Sequence, residues 1–138
     1  MSLSIYLTFN GNCREAFEFY RAVFGTEFVV LSTFGEGPED MEVSDADKDK
    51  VMHVTLPIGS NVLMGSDNSP HGPPVVVGNN FSISVDAQSR EESDDLIGRL
   101  ADGGTVTMPM QETFWGSYFG MCTDPFGVNW MVSCDLSA

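Results

Sequence analysis

Two stretches of this chain are written in the same pattern, and that repetition constrains the fold more than any other feature of the sequence. In the first, Ser4 to Phe9 alternates, with Ile5, Leu7 and Phe9 on one side and Ser4, Tyr6 and Thr8 on the other, the period of a half-buried strand. Asn12 with Glu15 three residues later is a capping-box pattern that opens a helix. Ala16, Phe19, Tyr20, Val23 and Phe24 then give that helix an apolar face, and Gly25 gives it a stop. In the second stretch Phe81, Ile83 and Val85 alternate with Ser82, Ser84 and Asp86. Ser89 with Glu92 repeats the cap, Leu96, Ile97 and Leu100 supply the stripe, and Gly103-Gly104 the stop. From Asn12 to Ser89 is 77 residues and from Gly25 to Gly103 is 78, so the chain reads as an internal duplication.

Each helix is followed by three segments with strand character. In the first half these are Glu27 to Thr33, Val51 to Ile58 and Asn61 to Met64, the last two joined by the turn Ile58-Gly59-Ser60-Asn61. In the second half they are Thr105 to Met110, Ser117 to Thr123 and Val128 to Cys134, with Asp124-Pro125-Phe126-Gly127 as the corresponding turn. The expected fold is therefore α+β, two tandem βαβββ units. The units are expected at about 1–67 and 79–138 of a single domain covering 1–138, with the proline-bearing stretch 68–78 as a linker. Gly35 to Lys50 holds seven acids, Glu36, Glu39, Asp40, Glu42, Asp45, Asp47 and Asp49, and reads as a solvated loop without fixed structure.

With 138 residues the chain can bury a core without covalent staples. Cys13, Cys122 and Cys134 show no CxxC spacing and suggest neither a disulfide framework nor a structural zinc site, so we expect free thiols in a reducing compartment. No basic leader or long apolar run is evident, and the expectation is a cytoplasmic protein. Twenty Asp and Glu against six Lys and Arg leave a net charge of −14, which repels phosphate backbones and anionic membranes. Neither nucleic acid nor membrane is an expected partner. The acidity serves solubility, or provides a field that draws cationic ligands.

The stretches "YLTFNGNCREAFEFYRAVFG", "VMHVTLPIGSNVLMGSD" and "FWGSYFGMCTDPFGVNWMVS", in this order, resemble the PhnB-like branch of the vicinal oxygen chelate superfamily, which includes glyoxalase I, bleomycin-resistance proteins and extradiol dioxygenases. The resemblance implies a curved mixed sheet around a cavity, with helices on the convex face. It also implies that metal-dependent members carry His or Glu ligands at inward positions on the first and last strands of each unit. Here Ser4, Tyr6, Thr8, Ser82 and Ser84 are expected to look inward, and the closing carboxylate positions fall at about Met64 and Met131. Hydroxyls and thioethers do not suit a hard or borderline divalent ion, so neither a metal nor another cofactor is expected. Some PhnB-like proteins carry a demethylubiquinone methyltransferase label, but the chain lacks a glycine-rich strand-to-helix nucleotide loop.

Among polar residues, His53 and Thr55 point away from the apolar side of their strand formed by Met52, Val54, Leu56 and Ile58. His53 is a ligand-binding or catalytic candidate, or else a structurally bonded histidine. His71, beside three prolines, reads as solvated loop. Tyr6 presents its phenol to a ligand or packs with its hydroxyl satisfied. Phe114, Trp115, Tyr118 and Phe119 either wall a pocket for a planar or cationic ligand or belong to a core or subunit interface. Gln111 and Glu112 precede that cluster, and Glu112 beside apolar walls is a candidate general base, against the alternative of a surface carboxylate. Cys122 and Cys134 read as small buried apolar groups.

Two functions follow from these expectations. The first is a metal-free binding or sequestering protein, a homodimer with Tyr6, His53, Gln111, Trp115 and Tyr118 on a cationic or aromatic small molecule. The alternative is a glyoxalase-like metal-dependent lyase or isomerase with a rearranged site, His53 and Glu112 as leading donors.

Overall fold

A computed structural model describes residues 1–38 and 42–137. The chain divides into two compact units, Met1–Val76 and Val77–Ala138. The first unit runs β1 (Ile5–Phe9), α1 (Cys13–Phe24), β2 (Val30–Thr33), β3 (Val51–Ile58) and β4 (Asn61–Asp67), with a short 3-10 turn at Phe34–Glu36. The second runs β5 (Ile83–Ala87), α2 (Arg90–Leu100), β6 (Thr105–Glu112), β7 (Ser117–Thr123) and β8 (Asn129–Asp135). Each unit forms its own four-stranded mixed sheet, in the orders β1-β4-β3-β2 and β5-β8-β7-β6. In each, the first strand pairs parallel with the last and the other pairings are antiparallel. The repeat seen in the sequence is thus a repeat of topology.

In the first unit α1 packs on β3 and β4. Its buried stripe is Cys13, Ala16, Phe17 and Tyr20, one turn earlier than the expected face, so that Phe19, Val23 and Phe24 are only half-buried. The shift follows from Gly65 on β4, where an added Cβ would lie 2.6 Å from the Phe17 ring. The bare backbone admits that ring, which also packs edge-on against Phe9 and Tyr20. Leu7, Val54, Leu56 and Leu63 complete this core.

The expected Asn12 cap is not made. Asn12 has φ −111° and ψ 22°, outside the extended conformation from which a cap side chain reaches forward, and forms no capping bond. The buried carboxylate of Asp67 takes over, accepting from Cys13 N at 2.9 Å and Val51 N at 2.9 Å. One side chain therefore fixes the start of α1 and the start of β3. Gly25, left-handed at φ 66°, ends the helix as the sequence implies.

The acidic loop is more ordered than its composition suggests. Phe34 N and Gly35 N donate to Lys50 O and Lys48 O, Ser44 Oγ donates to Asp47, and Lys50 Nζ sits 2.7 Å from the same carboxylate. Backbone pairing with the 3-10 turn overrides charge repulsion there. Glu39 and Asp40 lie outside the described residues. In the stretch read as a linker, Val75 exchanges two hydrogen bonds with the Asn10 side chain, at 2.7 and 2.9 Å, which ties it to the first unit.

In the second unit the Ser89 cap forms: Ser89 Oγ accepts from Glu92 N at 3.0 Å. Leu96, Ile97 and Leu100 are buried, facing Trp130, Val132 and Cys122 on the sheet side of the core. Phe81 lies before β5 and is 53% exposed. The Asp-Pro-Phe-Gly turn is organised by Asp124, whose buried carboxylate accepts from Phe126 N, Val128 N and Trp130 Nε1 at 2.8, 3.0 and 2.9 Å. Gly127, at φ 89°, supplies the left-handed residue such a turn needs.

Candidate functional site

Strand alternation places the chemistry of the first unit on the sheet face away from α1. Leu7, Gly65 and Val54 are register partners under the helix, so the adjacent row, Tyr6, Met64, Thr55 and Val30, points the other way. His53, two residues before Thr55, shares that face. The Tyr6 Oη atom lies 3.2 Å from His53 Nδ1, and His53 Nε2 lies 2.9 Å from Thr55 Oγ1. The Tyr6 and His53 rings stack with centroids 5.6 Å apart and planes at 27°. Tyr6 is 47% exposed, which leaves its hydroxyl within reach of a ligand, whereas His53 and Thr55 are half-buried. Both ring nitrogens of His53 are engaged within the protein.

In the second unit Val132 and Gly120 are partners under α2, where an added Cβ on Gly120 would meet Met110 and Ile97. The neighbouring rows therefore face away: Ser84, Met131, Met121 and Met108 in one, Asp86, Ser133, Phe119 and Gln111 in the next. Trp115, in the turn between β6 and β7, reaches Phe119 with ring centroids 6.2 Å apart and is itself 60% exposed. Phe114 stands edge-on to Trp115 and is 98% exposed.

The aromatic cluster expected from sequence is split between the two faces of this sheet. Tyr118, next to Phe119, turns toward α2, where its hydroxyl donates to Asp94 at 2.7 Å and the Arg90 guanidinium lies over its ring at 4.8 Å. Bonding to Asp94, with some burial, holds the Tyr118 phenol above its usual range. Glu112 also lies on the α2 side and pairs with Arg90 instead of facing apolar walls. The ion pair raises the Arg90 guanidinium further above its ordinary value. Alternation itself could have separated Tyr118 from Phe119; nothing in the sequence signals the Arg90 pairing.

Of the other candidates, Ser4 and Ser82 lie just before their strands. His71 is exposed, its Nε2 2.9 Å from Glu42 O. All three cysteines are free and buried. Burial above all, then the Asp67 charge, pushes the Cys13 thiol far up, and burial with Asp124 pushes Cys122 to about 11. Neither is poised as a nucleophile. Among the described residues, no three or more His, Cys, Asp or Glu side chains gather in a way that could hold a metal ion. No helix among them is long and apolar enough to cross a membrane.

The comparisons with known proteins agree with this architecture. The sequence pattern of the Glyoxalase/Bleomycin resistance protein/Dioxygenase superfamily matches residues 3–132. The chain belongs to this superfamily. Protein YjdN of Escherichia coli K12 is 35% identical over 141 residues, covering 96% of this chain and 95% of YjdN. The crystal structure of PA1353 from Pseudomonas aeruginosa is similar at 47% identity and a TM-score of 0.84, with 97% and 98% of the two chains covered. A PhnB protein from Bacillus cereus is 25% identical at a TM-score of 0.74, covering 97% and 99%. The chain is PhnB-like within the superfamily. A fosfomycin resistance protein, FosX, from Listeria monocytogenes, complexed with Mn(II) and sulfate ion, shares the fold at 14% identity and a TM-score of 0.65, covering 97% of this chain and 91% of FosX.

Proposed function

We propose that this superfamily member binds a small cationic or aromatic molecule on the sheet face of its first unit turned away from the helix, and does so without the metal that other members use. The observation that carries the reading is the Tyr6, His53 and Thr55 group: connected polar side chains on one strand-alternation face, with a half-exposed phenol at its end. The second unit, by itself, presents Phe119 and Trp115 as aromatic surface of a kind suited to a planar or cationic ligand. The net charge of −14 favours cations on approach.

Residues on these faces do not fit a hard divalent ion. Met64 in the first unit and Met131 in the second offer thioethers, and the Asp86 carboxylate is engaged by Ser133 Oγ at 3.0 Å. Glu112, the second donor that a rearranged site would need, is paired with Arg90. Elemental analysis of the purified protein is expected to find no stoichiometric Zn, Mn, Ni or Fe. About one tightly held ion per chain would overturn this part of the reading and make His53 the first ligand to examine.

We further propose a cytoplasmic homodimer. Each sheet ends in two edge strands, and Phe114 and Trp115 expose more aromatic surface than a small unit usually leaves bare. Light scattering should give twice the chain mass of 15.0 kDa; a monomer at micromolar concentrations would contradict the proposal.

A further inference from the structure

We propose that Thr55, His53 and Tyr6 form a hydrogen-bond chain with one direction, set by the acidic phenol at the Tyr6 end, that leaves the Tyr6 oxygen as an acceptor for an N–H group of a cationic ligand. The inference rests on reading this face as a ligand site and adds the polarity of the contact.

A neutral imidazole carries one N–H and one bare nitrogen, so the two bonds of His53 must run the same way. In one arrangement Tyr6 O–H donates to Nδ1 and Nε2–H donates to Thr55 Oγ1. In the other Thr55 donates to Nε2 and Nδ1–H donates to Tyr6 Oη. A phenol is far more acidic than an aliphatic alcohol, hence the better donor, and its lone pairs are drawn into the ring, which makes it the poorer acceptor. The first arrangement gives the strongest donor to the bare imidazole nitrogen and leaves the aliphatic hydroxyl as acceptor. It matches chemistry at both ends, and the second mismatches both.

Three consequences follow. The single Tyr6 proton is committed to His53, so what Tyr6 Oη offers the solvent side is lone-pair density. Stacking of the two rings at 5.6 Å holds that oxygen in place. A ligand ammonium or guanidinium supplies the missing donor, and the acidic field of the protein draws the same class of ligand. His53 is a positioning residue: its bare Nδ1 holds the Tyr6 proton.

Two measurements test this. Nitrogen-15 NMR of the imidazoles, assigned with His71→Gln, should show His53 protonated at Nε2 and bare at Nδ1 in the free protein, and a mixture of tautomers in Tyr6→Phe. Protonation at Nδ1 in the wild type, or a tautomer unmoved in Tyr6→Phe, would overturn the directed chain whether or not any ligand binds. Benzylammonium, with N–H donors, should then bind at least about tenfold more tightly than benzyltrimethylammonium, which has the charge and ring but no donor. Tyr6→Phe should abolish the difference, and Tyr6 is exposed enough for the fold to survive the change. Equal binding of the two probes would overturn the acceptor role while leaving the binding function standing. Failure of both to bind would contradict the function itself.

Discussion

Trp130, fully buried, donates its indole N–H to the carboxylate of Asp124 at 2.9 Å, and the same carboxylate receives two backbone N–H groups of the turn that separates them. Three donors converge on one buried anion, so the turn and β8 are fixed together. Asp124→Ala removes the acceptor that all three share and is expected to cost about 3 to 5 kcal/mol of stability. Asp124→Asn keeps one acceptor oxygen and should cost less. Urea denaturation checks this; an alanine variant within about 0.5 kcal/mol of wild type would contradict the role assigned to Asp124.

A glycine in the sheet and a glycine in the helix tolerate side chains very differently. At Gly65 an added Cβ lies 2.6 Å from the Phe17 ring and 2.9 Å from Leu7 O, whereas at Gly98 on α2 nothing lies within 4 Å. Gly65→Ala should therefore lose about 1 to 3 kcal/mol through overpacking. Gly98→Ala should gain about 0.5 to 1 kcal/mol because alanine is the better helix former. Thermal melts of the two variants are expected to move in opposite directions.

Much of this was legible in the sequence, and the parts that were not share a physical cause. Alternation and the 77-residue repeat give the two βαβββ units, and β3 and β7 match their expected bounds, Val51–Ile58 and Ser117–Thr123. Local pattern failed where a distant residue decided the outcome. Asn12 with Glu15 has the spacing of a cap, yet Asp67, 54 residues beyond Cys13, provides it. Phe17 falls outside the apolar face read from the sequence, and Gly65 makes room for its ring under the helix. At the candidate site, alternation alone put His53 and Thr55 on one face, but contact of His53 with Tyr6 spans 47 residues and depends on β4 lying between β1 and β3. Tyr118 and Glu112 were grouped with their sequence neighbours, and Arg90 holds them on the other side of the sheet.

Alkaline conditions should expose the buried thiols. The Cys122 pKa is raised from 9.0 to about 11 in the folded state, first by burial and then by Asp124. The protonated thiol is thus favoured by folding, and its contribution is complete below pH 9.0 and lost as pH rises through about 11. Cys13, shifted further by burial and Asp67, adds to the same decline. Melting temperature should fall between pH 8.5 and pH 10.5 more steeply in wild type than in Cys122→Ala. Equal slopes would show that Cys122 is not shielded.

The account depends most on the unit 1 face binding a ligand through His53 and its partners, and one paired measurement bears on it directly. Wild type and His53→Ala are titrated with a panel of protonated aromatic amines, following chemical shifts of the β1 and β3 amides, and the melting temperature of each is recorded. The account predicts that the variant binds more weakly by about 1 to 3 kcal/mol while melting within a few degrees of wild type. Affinity unchanged in a variant whose melting temperature has dropped sharply would make His53 a structural residue and contradict the site.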